Sequence, residues 1–267
     1  MLFILLATVA ALMVIIERVW PGQALPKVRG WWLRIAVVNA VQLGLVIIAG
    51  MTWDRWCASW SLLSLSDWFG DGWAAAIAYF ISTFVYYWWH RVRHESKLFW
   101  RLCHQLHHSP RRIEILASFY KHPVEIFLNS VISSVLVYTL LGCSIQAAAI
   151  YTAITAVAEY FYHWNIRTPR WIGWIVQRPE SHRVHHQHDH HTQNFADLPL
   201  WDWLFGTLHN PNESPKLCGF NANKELQVDQ MLLFVDVHRK PAVPSPICIG
   251  CKKRWACAAG KSNTNLS

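Results

Sequence analysis

Apolar residues are gathered into five long stretches that are separated by more polar segments. An α-helix rises about 1.5 Å per residue, so about 20 apolar residues cross the hydrocarbon core of a bilayer. The pattern therefore predicts an all-α, multipass transmembrane protein with four to five spanning helices. The stretches cover residues 2–16, 31–51, 73–89, 124–142 and 145–162. Only the turn from Gly142 to Ser144 separates the last two, and the alternative for that pair is a hairpin that does not fully cross.

The composition agrees with a membrane protein. Of the 267 residues, 53% are hydrophobic and 17 are tryptophan, and the mean hydropathy is +0.17. Tryptophan and tyrosine crowd the ends of the stretches, as expected of side chains at the level of the lipid headgroups. A signal peptide is the alternative for the first stretch, but no basic segment precedes it and no clear cleavage site follows it. We therefore interpret the first stretch as a membrane helix.

Charged residues between the stretches predict the orientation of the chain. The first connection is basic and the second is acidic, and Lys and Arg favour the cytoplasmic side. The segment from His90 to His122 carries seven basic and two acidic residues, and Arg167, Arg170 and Arg178 follow the fifth stretch. Both segments are therefore predicted to be cytoplasmic. Because all 15 histidines lie at or after position 90, a site built from them is predicted to form a cytoplasmic helical cap on a membrane base.

Nine histidines form a pattern that is typical of a metal site. Two stand in HRVRH at 90–94, three in HQLHH at 104–108 and three in HRVHH at 182–186, with His163 between the last two groups. On a helix, positions i, i+3 and i+4 share one face, so each group is predicted to aim its imidazoles in one direction. Solvated surface histidines are the alternative, and three groups with helical spacing make that interpretation a poor one.

The number of histidines indicates how many ions are bound. Imidazole suits zinc, copper, iron and nickel rather than magnesium or calcium. One tetrahedral zinc needs four ligands, and a catalytic zinc keeps only three plus water. Nine ligands therefore indicate two metal ions with open coordination positions.

The run HRVHHQHDHH fits more than one helical register. We favour the register that repeats the H-x-x-H-H spacing of the second group. That register uses His182, His185 and His186. The alternatives pair His186 with His190 and His188 with His191. In the favoured register His188, His190 and His191 are surface residues or lie behind the ligands, and Asp189 is a candidate hydrogen-bond acceptor for a ligand histidine.

Two further polar residues lie close to the histidine groups. Glu159 stands one helical turn before His163, and an ionisable residue near membrane depth is costly. It either orients His163 or a neighbouring ligand, or reaches the interface for solvation. His122 precedes a proline where a helix is predicted to begin, so a structural role is favoured there, with a position facing the substrate as the alternative.

These motifs, with the closing QNFADLPLWDWLFGT, resemble the fatty acid hydroxylase and sterol desaturase superfamily of membrane di-iron oxygenases. The resemblance covers roughly residues 73–207 and rests on box order, spacing and closing motif together. It implies that Asn194 and Asp202 support the site. Ala196 stands where the family usually has glycine, and Lys121 where an arginine is common. The metal ligands that it implies are His90, His94, His104, His107, His108, His163, His182, His185 and His186.

The resemblance also implies an activity. Two iron ions, which zinc can replace during isolation, would use O2 to hydroxylate a C–H bond of a fatty acyl chain, sterol or related lipid. Desaturation at the same site is the alternative. A separate ferredoxin, rubredoxin or cytochrome b5-type donor is expected, because the chain has no dinucleotide or haem-attachment motif. A bacterial cell membrane is favoured over the endoplasmic reticulum, and no nucleic-acid partner is expected.

Two other classes of protein remain as alternatives. A zinc-dependent membrane hydrolase needs a water-activating carboxylate, and HESKL at His94 lacks the second histidine of H-E-x-x-H. A metal transporter places ligands in facing spans near the bilayer midplane, whereas these candidates gather at one side. The basic segment from Arg91 to Arg112 either attracts an acidic electron donor or binds membrane lipids and sets topology.

One domain is predicted over residues 1–239, with the histidine boxes at 90–186 and the closing motif at 194–207. The segment 240–267 is predicted to be a flexible tail, because it is rich in proline, lysine and small polar residues. Cys248 and Cys251 form a lone C-x-x-C in this tail. Such a pair is a weak zinc or redox signal.

Overall fold

A computed structural model describes residues 2–190 and 192–239. Within these residues the regular structure is helical. One isolated antiparallel β-bridge joins Gln187 to Cys218. The predicted tail, with Cys248 and Cys251, lies outside the described residues. The α-helices are α1 Leu2–Val19, α2 Trp31–Met51, α3 Trp53–Cys57, α4 Leu65–Glu95, α5 Lys97–Phe99, α6 Gln105–His108, α7 Pro123–Ser134, α8 Ile145–His163, α9 Pro179–His185, α10 Pro199–Leu204, α11 Ala222–Glu225 and α12 Val228–Leu232. Trp100–His104 and Val135–Leu140 are π-helical, and Ile115–Ala117 and Arg170–Trp174 are 3-10 helices.

The prediction of helices over the five apolar stretches is confirmed. α2 has the predicted bounds, and α8 differs by one residue. α4 is much longer than its apolar stretch. It begins at Leu65 and continues to Glu95. Among the described residues, two helical segments, Trp31–Cys57 and Pro123–Leu140, are long and apolar enough to cross a membrane.

α4 and α8 pack against each other along a line of small residues. Ala74, Ala75 and Ala78 of α4 belong to one buried cluster with Ala147 and Ala148 of α8. Small side chains let two helix backbones approach closely, which is a common way for apolar helices to associate. Past this contact, α4 carries the first histidine box and α8 ends on His163. The helix pair therefore brings two distant parts of the sequence to the same end of the bundle.

A second core supports the segment that carries the middle box. Leu106 of α6 packs with Trp31, Tyr120, Phe220 and Met231, all of which are almost fully buried. Buried carboxylates tie the surrounding loops together. Glu114 accepts hydrogen bonds from Trp31 Nε1 at 2.7 Å and from the Arg112 guanidinium at 2.7 Å. The loops around the histidines are thus fixed by both apolar packing and ion pairs.

The predicted turn between the last two apolar stretches is present at Gly142–Ser144. Gly142 has φ +63°, and a Cβ at this position would lie 1.8 Å from the carbonyl oxygen of Leu63. Glycine is therefore required both by the left-handed backbone and by the close approach. Ser144 Oγ then accepts a hydrogen bond from the Ala147 amide at 3.0 Å and begins α8.

We expect Gly142→Ala to destabilise the helix pair. The left-handed conformation costs an alanine about 1–2 kcal/mol, and the contact with Leu63 adds an overpacking cost of about 1–3 kcal/mol. Thermal unfolding of the protein in detergent measures the loss. Gly44→Ala is the matched control, because Gly44 lies within α2 with nothing near its Cβ position. Equal unfolding temperatures for the two variants would contradict the role assigned to Gly142.

Candidate metal centre

The nine histidines singled out by the sequence lie together in two groups. In each group the ligand nitrogens lie within 4.8 Å of one another. Seven of the nine side chains are buried, while His90 and His94 are half-buried. The group of five contains His90, His94, His104, His108 and His185. The group of four contains His107, His163, His182 and His186.

Each H-x-x-H-H box is divided between the two groups, so for these two boxes the prediction that all imidazoles aim in one direction is wrong. It holds for the first box, because His90 and His94 lie in the same group. In the second box His107 faces the group of four, and in the third box His185 faces the group of five. The reason is helical geometry, because positions i and i+4 differ by about 40° around the axis while i+3 lies about 60° to the other side. One box therefore serves two adjacent sites.

The spacing of the ring nitrogens fits metal coordination. The Nε2 atom of His104 lies 2.9 Å from Nε2 of His94 and 3.1 Å from Nε2 of His108. In the other group, Nε2 of His182 lies 3.2 Å from Nε2 of His163 and 3.1 Å from Nε2 of His186. Two nitrogens bound at about 2.1 Å and about 90° apart are separated by about 3.0 Å. Both groups therefore match the nitrogen spacing around a bound ion.

The second nitrogen of six rings, Nδ1, faces a hydrogen-bonding partner. His90 Nδ1 donates to the Phe195 carbonyl at 2.7 Å, and His185 Nδ1 donates to the Gln193 carbonyl at 2.8 Å. A proton on Nδ1 fixes the tautomer and leaves a lone pair on Nε2, which is the usual arrangement of a metal-bound histidine. Nε2 of His90 is buried with no hydrogen-bond partner among the described residues. Nδ1 of His104, His107 and His163 likewise faces an acceptor oxygen, whereas Nδ1 of His182 faces the side-chain nitrogen of Gln177, which is a donor.

Burial keeps these rings neutral. It lowers the pKa of His107, His108 and His182 well below the ordinary imidazole value, and neighbouring histidines lower it further. A neutral imidazole offers the lone pair that a metal ion needs. The rings of His108 and His186, one from each group, are stacked with centroids 4.2 Å apart. Two ions held by these groups would therefore be close neighbours.

A family model for fatty acid hydroxylases matches residues 75–207, which include all nine histidines and the closing motif. The chain belongs to the fatty acid hydroxylase and sterol desaturase superfamily. No solved structure matches the chain.

Several named proteins are similar in sequence to this chain. It is 32% identical over 136 residues to an ornithine lipid hydroxylase of Rhizobium tropici, and this match spans 49% of the chain and 40% of the relative. It is 28% identical to the human alkylglycerol monooxygenase, over 49% of the chain and 29% of the relative. It is 26% identical to a sphingolipid C4-hydroxylase of Schizosaccharomyces pombe, over 52% of the chain and 51% of the relative. The chain thus covers only about half or less of these relatives.

Glu159 contacts the group of four histidines through its main-chain carbonyl. Its carbonyl accepts from His163 Nδ1 at 2.9 Å, while its carboxylate is paired with the Lys121 ammonium and accepts from the Tyr162 hydroxyl at 3.2 Å. The carbonyl of the residue four positions earlier is the natural partner on a helix. The carboxylate therefore neither orients a ligand ring directly nor stands in open solvent. Lys121, where the family often has arginine, serves as its counter-ion.

His122 has the structural position that the sequence favours. Its Nδ1 accepts from the Val124 amide at 3.1 Å, so the side chain caps the N-terminus of α7. The ring is buried, and Nε2 lies 3.4 Å from the Leu232 carbonyl oxygen. It is not a member of either histidine group.

The closing motif of the hydroxylase family holds the loop that contacts His90. The Asp202 carboxylate accepts from the amides of Phe195 and Ala196 at 2.8 and 3.0 Å and from the Thr207 hydroxyl at 2.7 Å. Asn194 has φ +57°, and its side-chain amide donates to the Ser181 carbonyl at 2.8 Å. The left-handed turn thus lies at Asn194, which explains how Ala196 is accommodated where the family usually has glycine.

Sequence reasoning missed two partners of the ligand rings. Glu125 lies 3.2 Å from His104 Nδ1 and is paired with the Arg93 guanidinium. The side-chain amide of Gln177 lies 2.8 Å from His182 Nδ1. Glu125 had a signal that was not used, because a carboxylate at the start of an apolar stretch is costly and needs a partner. Gln177 had none, since a lone glutamine in a loop does not indicate a site.

The alternative registers of the third box are not formed by the described residues. α9 ends at His185, and beyond it His188 Nδ1 donates to the Gly219 carbonyl at 2.7 Å. Asp189 is exposed and lies 3.3 Å from His188, so it does not contact a ring of either group. His190 contacts the Gln193 side chain. His191 lies outside the described residues.

We expect His190→Ala to leave metal content and turnover within about twofold of the wild type, because substitutions away from buried networks change stability little. Iron per chain and product formation measure this in one preparation. A variant without activity or metal would show that the wrong register was chosen for the third box. His107→Ala and His185→Ala, which remove one histidine from each group, are the same truncation and provide the comparison.

Proposed function

We propose that this protein is a membrane di-iron oxygenase that uses O2 to hydroxylate a C–H bond of a lipid. The observation that carries the proposal is the presence of two adjacent, all-histidine groups in a chain of the fatty acid hydroxylase family. Its named relatives include an ornithine lipid hydroxylase, an alkylglycerol monooxygenase and a sphingolipid C4-hydroxylase, and each of these names contains a lipid. They support a lipid as the substrate class.

We assign each group one ion, with the nine histidines as ligands. A bound iron pair supplies the oxidation of an unactivated C–H bond by O2. The chain contributes the rest. Carbonyls of Phe195 and Gln193 hold the rings of His90 and His185 by their Nδ1 protons, so that both Nε2 atoms face the site. Burial excludes water from most of the rings and keeps them neutral.

The carboxylate of HESKL, which is the candidate that the sequence offers for a zinc hydrolase, is poorly placed. Glu95, which follows the first box, is 61% exposed and forms an i, i+4 ion pair with Arg91. It is therefore turned toward solvent rather than toward the histidines. The donor set also suits iron, since imidazole binds both iron and zinc and the group of five exceeds the four positions of tetrahedral zinc.

In this proposal the protein lies in a bacterial cell membrane with four to five spanning helices and its site on the cytoplasmic side. The excess of Lys and Arg in the histidine-bearing segments supports that orientation. Two long apolar helical segments, Trp31–Cys57 and Pro123–Leu140, support two of these crossings by their length and composition. Electrons come from a separate ferredoxin, rubredoxin or cytochrome b5-type protein.

The proposal is tested by lipid profiling of cells with and without the chain, combined with metal analysis of the purified protein. We expect a lipid that gains one oxygen atom in cells with the chain, and two iron ions per chain. A product that instead loses two hydrogens would assign the site to desaturation. Unchanged lipids in iron-loaded cells, with a reducing system present, would contradict oxygenase function.

Chelation is expected to inactivate the protein without releasing it from the membrane. The metal is held by side chains at one end of the bundle, whereas burial of apolar helices in lipid does not depend on it. Activity and sedimentation with membranes are measured before and after chelator treatment, and iron is then added back. Release of the chain into the soluble fraction would contradict this separation of the two roles.

A further inference from the structure

An exposed apolar surface lies outside the five stretches, on the 3-10 helix Arg170–Trp174 and on α10. Three of its tryptophans are well exposed, with Trp171 at 63%, Trp174 at 59% and Trp203 at 63%. Ile175 and Leu204 are similarly exposed. The two elements that carry these side chains contact each other. An apolar surface of this kind on a protein marks an interaction site.

The position of α10 places this surface beside an apolar stretch. Trp201 Nε1 donates to Thr83 Oγ1 at 2.8 Å, and the Trp201 ring packs on Phe80 and Phe84 with centroids 5.5 and 5.0 Å apart. Thr83 lies six residues before Trp89, where the third apolar stretch ends, which corresponds to about 9 Å along a helix. α10 therefore lies at the level of the apolar part of α4, not beyond its end.

A groove of about 430 Å³ separates the two elements, and its lining includes Arg170, Trp174 and Trp203. The Arg170 side chain is anchored by Nε, which donates to the Asn210 carbonyl at 3.3 Å. The ion pairs of the described residues do not include Arg170. Asp202 also lines the groove, but its oxygens accept from the Phe195 and Ala196 amides and the Thr207 hydroxyl.

We propose that this surface is an interfacial membrane anchor that binds the headgroup of an anionic phospholipid in the groove. Tryptophan is the residue type that settles at the headgroup level of a bilayer. An arginine without a carboxylate partner suits a phosphate, because its fork of donors matches the phosphate oxygens. The exposed apolar side chains then enter the outer part of the acyl region. The inference rests on the proposed membrane location and does not depend on oxygen chemistry.

The anchor has a consequence for the histidine groups. His90 follows Thr83 by seven residues on the same helix, so the groups lie about 10 Å from the level at which α10 packs. With α10 and the 3-10 helix at the interface, the cap rests on the leaflet. A lipid then reaches the site without leaving the membrane.

Hydrogen exchange of the full chain in nanodiscs tests the proposal. Exchange of the peptides that cover 168–178 and 198–207 is compared between phosphatidylglycerol and phosphatidylcholine discs. We expect exchange to slow by about tenfold in the anionic discs. Arg170→Gln is expected to remove the difference between the two lipids, and Trp203→Ser is expected to speed exchange in both.

Arg101→Gln is the matched control, because Arg101 is also exposed and donates from Nε to a carbonyl, that of Lys97 at 3.3 Å. It should keep the difference between lipids. Iron content confirms that each variant is folded. Equal exchange in both lipids, or the same protection from inorganic phosphate in neutral discs, would overturn the proposal. Because no turnover is measured, absence of hydroxylation would leave this result intact and would count only against the oxygenase.

Discussion

Replacing His107 by alanine is expected to abolish lipid oxidation and to lower the iron content from two ions per chain toward one. His107 belongs to the group of four, so its loss leaves three nitrogens. Its Nδ1 lies 3.3 Å from the Tyr120 carbonyl oxygen, which orients the ring, and the side chain is buried. Loss of a residue that only orients a ligand costs about 10–100-fold in affinity or activity. Loss of the ligand itself should exceed about 100-fold.

The same substitution at His185 distinguishes the contributions of the two groups. His185 is one of five, so four histidines remain in its group after truncation. We expect iron content to fall less in His185→Ala than in His107→Ala, while activity falls by a similar factor because the geometry of the pair is lost. Iron per chain and product formation are measured in parallel, with His190→Ala as the control. Full turnover in either grouped variant would contradict the ligand assignment.

The outcome for the histidines shows what a sequence pattern can and cannot predict. Spacing on a helix identified eight of the nine histidines that the structure brings together, because the 3.6-residue period is a local property of the chain. The ninth, His163, was indicated by the family resemblance. The division of a box between two sites was not predicted. It depends on where the neighbouring helices place the second group, and a short-range pattern does not contain that information.

Long apolar stretches predicted the helices, although α4 extends beyond its stretch at both ends. The polar contacts around the histidines were harder to predict. The ring of His90 is held by the carbonyl of Phe195, which lies 105 residues further along the chain. A main-chain carbonyl has no sequence signature, so this contact could not be found without the fold. Asp202 shows the opposite case, because the family resemblance indicated its supporting role while the structure adds the atoms that it holds.

Truncation of Asp202 to alanine is expected to have the second large effect, through the loop rather than through a metal bond. The substitution leaves the buried amides of Phe195 and Ala196 without their acceptor. Each unsatisfied buried group costs about 1–3 kcal/mol, so we expect a loss of about 2–6 kcal/mol in the free energy of unfolding. The Thr207 hydroxyl also loses a partner.

The loop that Asp202 fixes is the one that presents the Phe195 carbonyl to His90 Nδ1 at 2.7 Å. Asp202→Ala should therefore lower iron content as well as the unfolding temperature. Asp202→Asn keeps one acceptor oxygen and should lie between the wild type and the alanine variant. Asp189→Ala, which removes an exposed carboxylate of the same type, should change neither quantity. Wild-type stability and iron content in Asp202→Ala would show that the loop is held by other contacts and that the carboxylate does not position His90.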